Sequence, residues 1–137
     1  MHLSQSLNRV YVSYWHITMK HILHHKHRGF NKEDTYEAYK IFFGTLVSQS
    51  RLRIINLLRE GEKSVSEIVA SVNYSQPTVS HDLARLKACG FVKVKISKNF
   101  RLYSLNKKTI EPLMKLIDSH MDDYCLHILH GRKSHHE

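Results

Sequence analysis

The chain has 137 residues, 12 of them histidine, and a formal net charge of +9 with histidine counted neutral. That length suits one domain with appended helices, and the charge favours a polyanionic partner, most simply nucleic acid or an anionic membrane surface. Two cysteines in no paired-spacing motif argue against a disulfide scaffold, and no apolar run approaches the ~20 residues of a membrane span, so a cytoplasmic protein with no membrane partner is expected.

Residues 1–31 read as a histidine-rich helical extension. Leu3, Leu7, Val10, Tyr14 and Ile17 stand at helical spacing, although Val10, Tyr11 and Val12 are poor helix formers. His21, His24, His25 and His27 follow, mixed with Lys20, Lys26 and Arg28. They read either as a solvated basic segment or as donors to a borderline cation. Gly29-Phe30-Asn31 is the expected linker to a domain over 32–131, with a short polar tail over 132–137.

A helix is expected from Asp34 to Val47. A strongly patterned one begins at Ser50, runs through Leu52, Ile55, Leu57 and Leu58, and stops at Glu60-Gly61. Arg51, Arg53 and Arg59 on it read as solvated or phosphate-contacting. Ser64 and Glu67, three apart, form a capping-box pattern, after which Val65, Ile68, Val69 and Val72 make a buried stripe. Asn73-Tyr74 ends that helix. Ser75 caps the next, and Pro77 falls in its first turn, where a missing N–H costs nothing.

In this second helix Val79, Leu83 and Leu86 face inward, while Gln76, Thr78, Ser80, His81 and Arg85 form a polar, hydrogen-bonding face. Such a face suits the major groove, where Gln and Arg make bidentate base contacts and Ser or Thr adapt, and Ser75 at its start is expected to contact DNA with it. Gly90 suits a helix-ending left-handed position. Val92, Val94 and Ile96 alternate with Lys93 and Lys95 as a half-buried strand. Ser97-Lys98-Asn99-Phe100 then turns the chain into the return strand Arg101 to Leu105. Two helices, a turn and a hairpin in that order predict a mainly α fold with a small β-hairpin wing, a winged helix-turn-helix. Lys93, Lys95, Lys98 and Arg101 would hold the wing on phosphates.

The stretch from Asp34 to His130 resembles the ArsR/SmtB transcriptional repressors. The resemblance rests on Arg51-Leu52-Arg53-Ile54 opening a helix, on Ser75-Gln76-Pro77-Thr78-Val79-Ser80 opening the recognition helix, and on the return strand. Ser48-Gln49 stands where the family often has Asp-Pro, and Asp82 where it usually has His. The family implies a homodimer built by the Asp34–Val47 helix and the last helix, bound to a double-stranded operator of two-fold symmetry. Its thiol-based sensors carry Cys-x-Cys at the positions of Ser64 and Ser66, so that sensing route is not expected here.

The last helix, about Thr109 to His130, carries Ile110, Leu113, Ile117, Met121, Tyr124 and Ile128 in one expected continuous stripe, read as a dimer seam. It also carries Asp118, His120, Asp123, His127 and His130, the donor types a divalent ion such as Zn²⁺ takes. Resemblance to the zinc-sensing members pairs Asp118-Ser119-His120 of one protomer with His127 and His130 of the other. The gap between the halves is about four residues shorter here, close to one helical turn. An alternative collects His120, Asp123, His127 and His130 on one face of a single helix. Zn²⁺ is the expected ion, with Ni²⁺ or Co²⁺ accepting the same donors.

The resulting expectation is a repressor released from its operator by a divalent metal. Its rivals are a winged-helix regulator under redox or partner control, and a histidine-rich metal-binding protein with loose nucleic-acid affinity. No nucleophile–base pair or phosphate loop is visible, so no enzyme is expected.

Overall fold

A computed structural model describes residues 32–133, so the expected extension over 1–31, with its histidine cluster, lies outside the described residues. The chain divides into two compact units, 1–39 and 40–137. In the first, residues 32–39 begin helix α1 (Lys32–Leu46), where the Lys32 ammonium stands 5.9 Å from the Tyr36 ring centroid.

The second unit continues with α2 (Gln49–Leu58), a two-residue strand β1 (Lys63–Ser64), α3 (Val65–Val72), α4 (Gln76–Ala88), β2 (Val92–Ser97), β3 (Phe100–Leu105) and α5 (Ile110–His120). A single π-helical turn, Met121–Cys125, joins α5 to α6 (Leu126–Lys133). The sheet is antiparallel in the order β1-β3-β2.

Local chemistry sets the helix boundaries. The Ser48 hydroxyl caps α2 by accepting from the Arg51 N–H, one residue earlier than the pattern alone indicated. At α3 the capping box forms as read: Ser64 Oγ accepts from the Glu67 N–H, and the Glu67 carboxylate accepts from the Ser64 N–H at 2.7 Å. That bond holds the Glu67 carboxyl below the usual glutamate range. Asn73 closes α3 with φ 58°, a left-handed position that Asn tolerates better than most residues. Gly90 takes φ 75° after α4, where a side chain would be strained.

The core draws on α2 to α5 and on strands β2 and β3. Ile54, Ile55 and Leu58 of α2 meet Ile68 and Val72 of α3, Val79, Leu83 and Leu86 of α4, Phe91, and Tyr103 and Leu105 of β3. Ile110 and Met114 of α5 close it. Phe42 of α1 packs on this core with its ring 5.0 Å from Phe91. Asn106 ties the return strand to the end of α4, its side-chain amide donating to the Gly90 carbonyl at 2.9 Å. Its side-chain oxygen accepts from the N–H groups of Lys108 and Thr109 and its main-chain carbonyl from those of Ile110 and Glu111, so Asn106 anchors the start of α5, where the Thr109 side chain makes no cap.

Two expectations are corrected. The hairpin gains a third strand, because Lys63 and Ser64 pair with Tyr103 and Leu102. The last helix is not one continuous α-helix. A π turn takes one extra residue, and so rotates everything beyond it by about one residue, ~100°. The stripe of Ile110, Leu113 and Ile117 therefore does not continue in phase to Ile128. In α5, Ile110, Leu113, Met114 and Ile117 lie in or against the core, while Leu116 is exposed; beyond it Met121, Tyr124, Leu126, Ile128 and Leu129 are exposed.

Candidate nucleic-acid interface

Helix α4 sits as a reading element must: its inner side is fixed and its outer side is free. Val79, Leu83 and Leu86 are fully buried or nearly so, whereas Gln76, Pro77, Thr78, Ser80, His81, Ala84 and Arg85 are exposed. Ser75 Oγ accepts from the Thr78 N–H and stands 2.9 Å from the Thr78 hydroxyl. Ser75 is therefore committed to starting the helix, and Thr78 is partly tied to it. Gln76, Ser80, His81 and Arg85 keep their polar groups available on one outward arc.

The structure separates the wing cations. The two-residue loop Lys98-Asn99 sets Ser97 opposite Phe100 and Ile96 opposite Arg101. Strand residues alternate sides, so Lys93 and Lys95 share one face with Phe100, while Arg101 lies on the other face with Ile96. Lys95 also pairs with the Glu62 carboxylate at 2.9 Å. Lys98, at the tip with φ 56°, is exposed beyond both faces.

Arginine 51 is where sequence reasoning fell short. It is neither solvated nor aimed outward. Its Nε donates to the Thr45 carbonyl at 2.7 Å and its Nη2 to the Gly44 carbonyl at 3.3 Å. Its Nη1 donates to Asp82 Oδ1 at 3.1 Å, and the Ser50 hydroxyl donates to Asp82 Oδ2 at 2.5 Å. Asp82 is only 4% exposed. The signal was the acidic residue at a position usually basic in the family it resembles. Beside this network the Thr45 hydroxyl donates to the Ile41 carbonyl at 2.7 Å and lies 3.5 Å from the half-buried Cys89 sulfur.

The candidate metal donors are spread out. Asp118 accepts from Arg59 Nη2 at 2.6 Å, a bond that raises the guanidinium pKa above its already high value. His120 stacks on Tyr124 with ring centroids 4.8 Å apart. His127 and His130 are exposed on α6, beyond the π turn. Among the described residues of one chain, no three His, Cys, Asp or Glu come together. The π turn also takes His127 and His130 out of the α-helical phase that would have aligned them with His120.

A profile described as bacterial regulatory protein, arsR family, matches residues 48–94, from the cap of α2 to the middle of β2. An uncharacterised HTH-type transcriptional regulator of Methanocaldococcus jannaschii is 31% identical over 86 residues, 62% of this chain and 97% of that protein. The chain belongs to the ArsR family. This ArsR-family chain is a DNA-binding transcriptional regulator of winged-helix fold, not an enzyme. The crystal structure of Rv0081 from Mycobacterium tuberculosis superposes with a TM-score of 0.63 at 28% identity, over 72% of this chain and 95% of that one. The arsenical resistance operon repressor of Staphylococcus xylosus is 27% identical over 84 residues, 61% of this chain and 81% of its own length. Among the described residues, no helix is long and apolar enough to cross a membrane.

Proposed function

We propose that this ArsR-family regulator is a cytoplasmic, homodimeric repressor whose two α4 helices read the half-sites of a two-fold operator. One observation carries this reading: the exposed arc of Gln76, Ser80, His81 and Arg85 is backed by a buried Val79, Leu83 and Leu86 that leaves it no freedom to turn inward. Lys98 and Arg101 supply phosphate contacts from the wing, with Lys95 shared between phosphate and Glu62. The second copy answers the exposed apolar residues of α5 and α6, among them Leu116 at 70%.

The regulatory part of the reading is release by a divalent ion, Zn²⁺ or by the same donors Ni²⁺ or Co²⁺. A carboxylate with imidazoles is the right donor chemistry, and Asp118, His120, His127 and His130 would hold the ion between two protomers, since one chain does not gather them. The relative that represses an arsenical resistance operon supports the repressor part of this reading. Bound metal would favour a dimer geometry that fits DNA worse, with a reciprocal coupling of about 1–3 kcal/mol. One observation favours a regulator without metal: Asp118 is already neutralised by Arg59.

The test is binding to the upstream region of the protein's own gene, with and without Zn²⁺ and a chelator. Gln76→Ala or His81→Ala should relax sequence preference while non-specific binding persists. Lys98→Ala or Arg101→Ala should weaken all sequences and make the salt dependence shallower. Equal loss of specific and random binding in the Gln76 variant would remove α4 as the reader. Zinc-indifferent binding would remove the metal.

A further inference from the structure

We propose that Asp82 and Arg51 are positioning residues for DNA specificity: their ion pair fixes the rotation of α4 about its own axis, and so decides which base edges Gln76, Ser80 and His81 meet. The inference rests on the reading of α4 as the DNA-contacting helix. Asp82 is a charged residue on that helix, adjacent in sequence to exposed His81, yet it is 4% exposed. Both its oxygens are held from α2, one by Arg51 Nη1 at 3.1 Å and one by the Ser50 hydroxyl at 2.5 Å. Arg51 is itself anchored, through Nε and Nη2, to the carbonyls of Thr45 and Gly44 in the last turn of α1. A single planar guanidinium thus joins three helices, which a lysine's point charge could not do.

Apolar packing by Val79, Leu83 and Leu86 holds α4 down but is non-directional, so it tolerates small rotations. A charge-assisted hydrogen bond from Arg51, with a second from the Ser50 hydroxyl on the other oxygen, does not. Side-chain tips ride roughly 5–6 Å from a helix axis, so a turn of about 10° shifts them by about 1 Å. The window of a good hydrogen bond is only about 0.5 Å wide. Rotational seating of α4 is therefore a requirement of base readout, and far less of phosphate contact.

For the test, the wild-type protein selects a duplex from a random pool. Affinities for it and for a scrambled duplex of equal length are then measured at one salt concentration, with a melting curve for each variant. Asp82→Asn keeps size and shape, and Arg51→Lys keeps the charge. Each should lower the selected-to-scrambled affinity ratio by about 5- to 150-fold, the value of one bidentate base contact. Scrambled-duplex affinity should stay within about twofold, because phosphate contacts carry it. The paired change Arg51→Met with Asp82→Leu leaves no orphan charge and should melt close to wild type, yet its ratio should stay low. A ratio restored in the paired variant, or one that falls only in step with melting temperature, overturns the proposal. If the paired variant does not fold, Asp82→Asn decides, its ratio read at a temperature where it and the wild type are both fully folded: a lowered ratio supports the proposal, and a wild-type ratio overturns it. A wild-type protein that selects no duplex overturns the assignment of α4 as reader, and this proposal with it. Selection by wild type with unchanged ratios in the variants overturns this proposal alone.

Discussion

Replacing Arg59 by alanine should tighten metal binding. If Asp118 is a ligand, the ion must take its carboxylate from Arg59, whose Nη2 lies 2.6 Å from Asp118 Oδ2. The two side chains are 27% and 40% exposed, so solvent screens the pair and its strength falls to about 0.2–1 kcal/mol despite the short contact. Freeing Asp118 therefore raises affinity by that amount, a factor of about 1.5 to 5 for each site. The fold should lose no more than about 1 kcal/mol. Asp118→Asn should act in the opposite direction, since a neutral amide is a poor ligand for Zn²⁺. The assay is Zn²⁺ competition against a chromogenic chelator near pH 7.5, with circular dichroism to confirm folding. Arg53→Ala, an exposed arginine on the same helix, controls for the general loss of one positive charge. If Arg59→Ala binds no tighter than Arg53→Ala, and Asp118→Asn binds as wild type does, Asp118 is not a ligand and the proposed inter-protomer donor set loses its carboxylate.

Two other perturbations test the frame around the site. The Glu67 carboxyl is held below its ordinary range by the Ser64 N–H, so its contribution to stability is present above the unfolded glutamate range and fades as pH falls through the lower folded value. Glu67→Gln should flatten that acid limb in urea midpoints measured across the carboxylate range, and an unchanged limb would show that the capping box does not matter in solution. Leu126→Glu with Leu129→Glu puts charge on the exposed apolar part of α6 and should convert the proposed dimer to monomer in sedimentation at micromolar concentration; a dimer that survives uses another surface, and a monomeric wild type removes the dimer.

What was legible in the sequence was local. The Ser64–Glu67 box, the Ser75 cap with Pro77 behind it, and the left-handed Gly90 each depend on residues within one turn, and each forms as the residue types require. The inward set Val79, Leu83 and Leu86 follows from period alone. Strand β1 was invisible because two residues carry no alternation, and its pairing with Leu102 and Tyr103 is long-range. A turn of four residues, rather than the two-residue Lys98-Asn99 loop, left open which face Arg101 would share. The π turn escaped because a stripe is traced at constant phase, and nothing in Met-Asp-Asp-Tyr-Cys announces an extra residue. Arg51 was misjudged because its partner lies 31 positions away on another helix.

Helix α2 ends in two joints of unequal strength, and that inequality bears on how release could work. Arg51, in its first turn, is bound to Asp82 of α4; Arg59, at its C-cap, is bound to Asp118 of α5. The Arg51–Asp82 pair is shielded, at 18% and 5% exposure, and removing one partner from such a pair costs about 3–5 kcal/mol. The outer pair is worth about 1 kcal/mol or less. A coupling of about 1–3 kcal/mol is enough to break the outer joint and too small to break the inner one. An effector acting at Asp118 therefore leaves α4 seated on its own domain. In the proposed dimer, what it can change is how α5 and α6 carry one whole winged domain relative to the other. Two reading helices must meet half-sites about 34–36 Å apart, or a multiple of that, so displacing intact domains is sufficient to abolish operator binding.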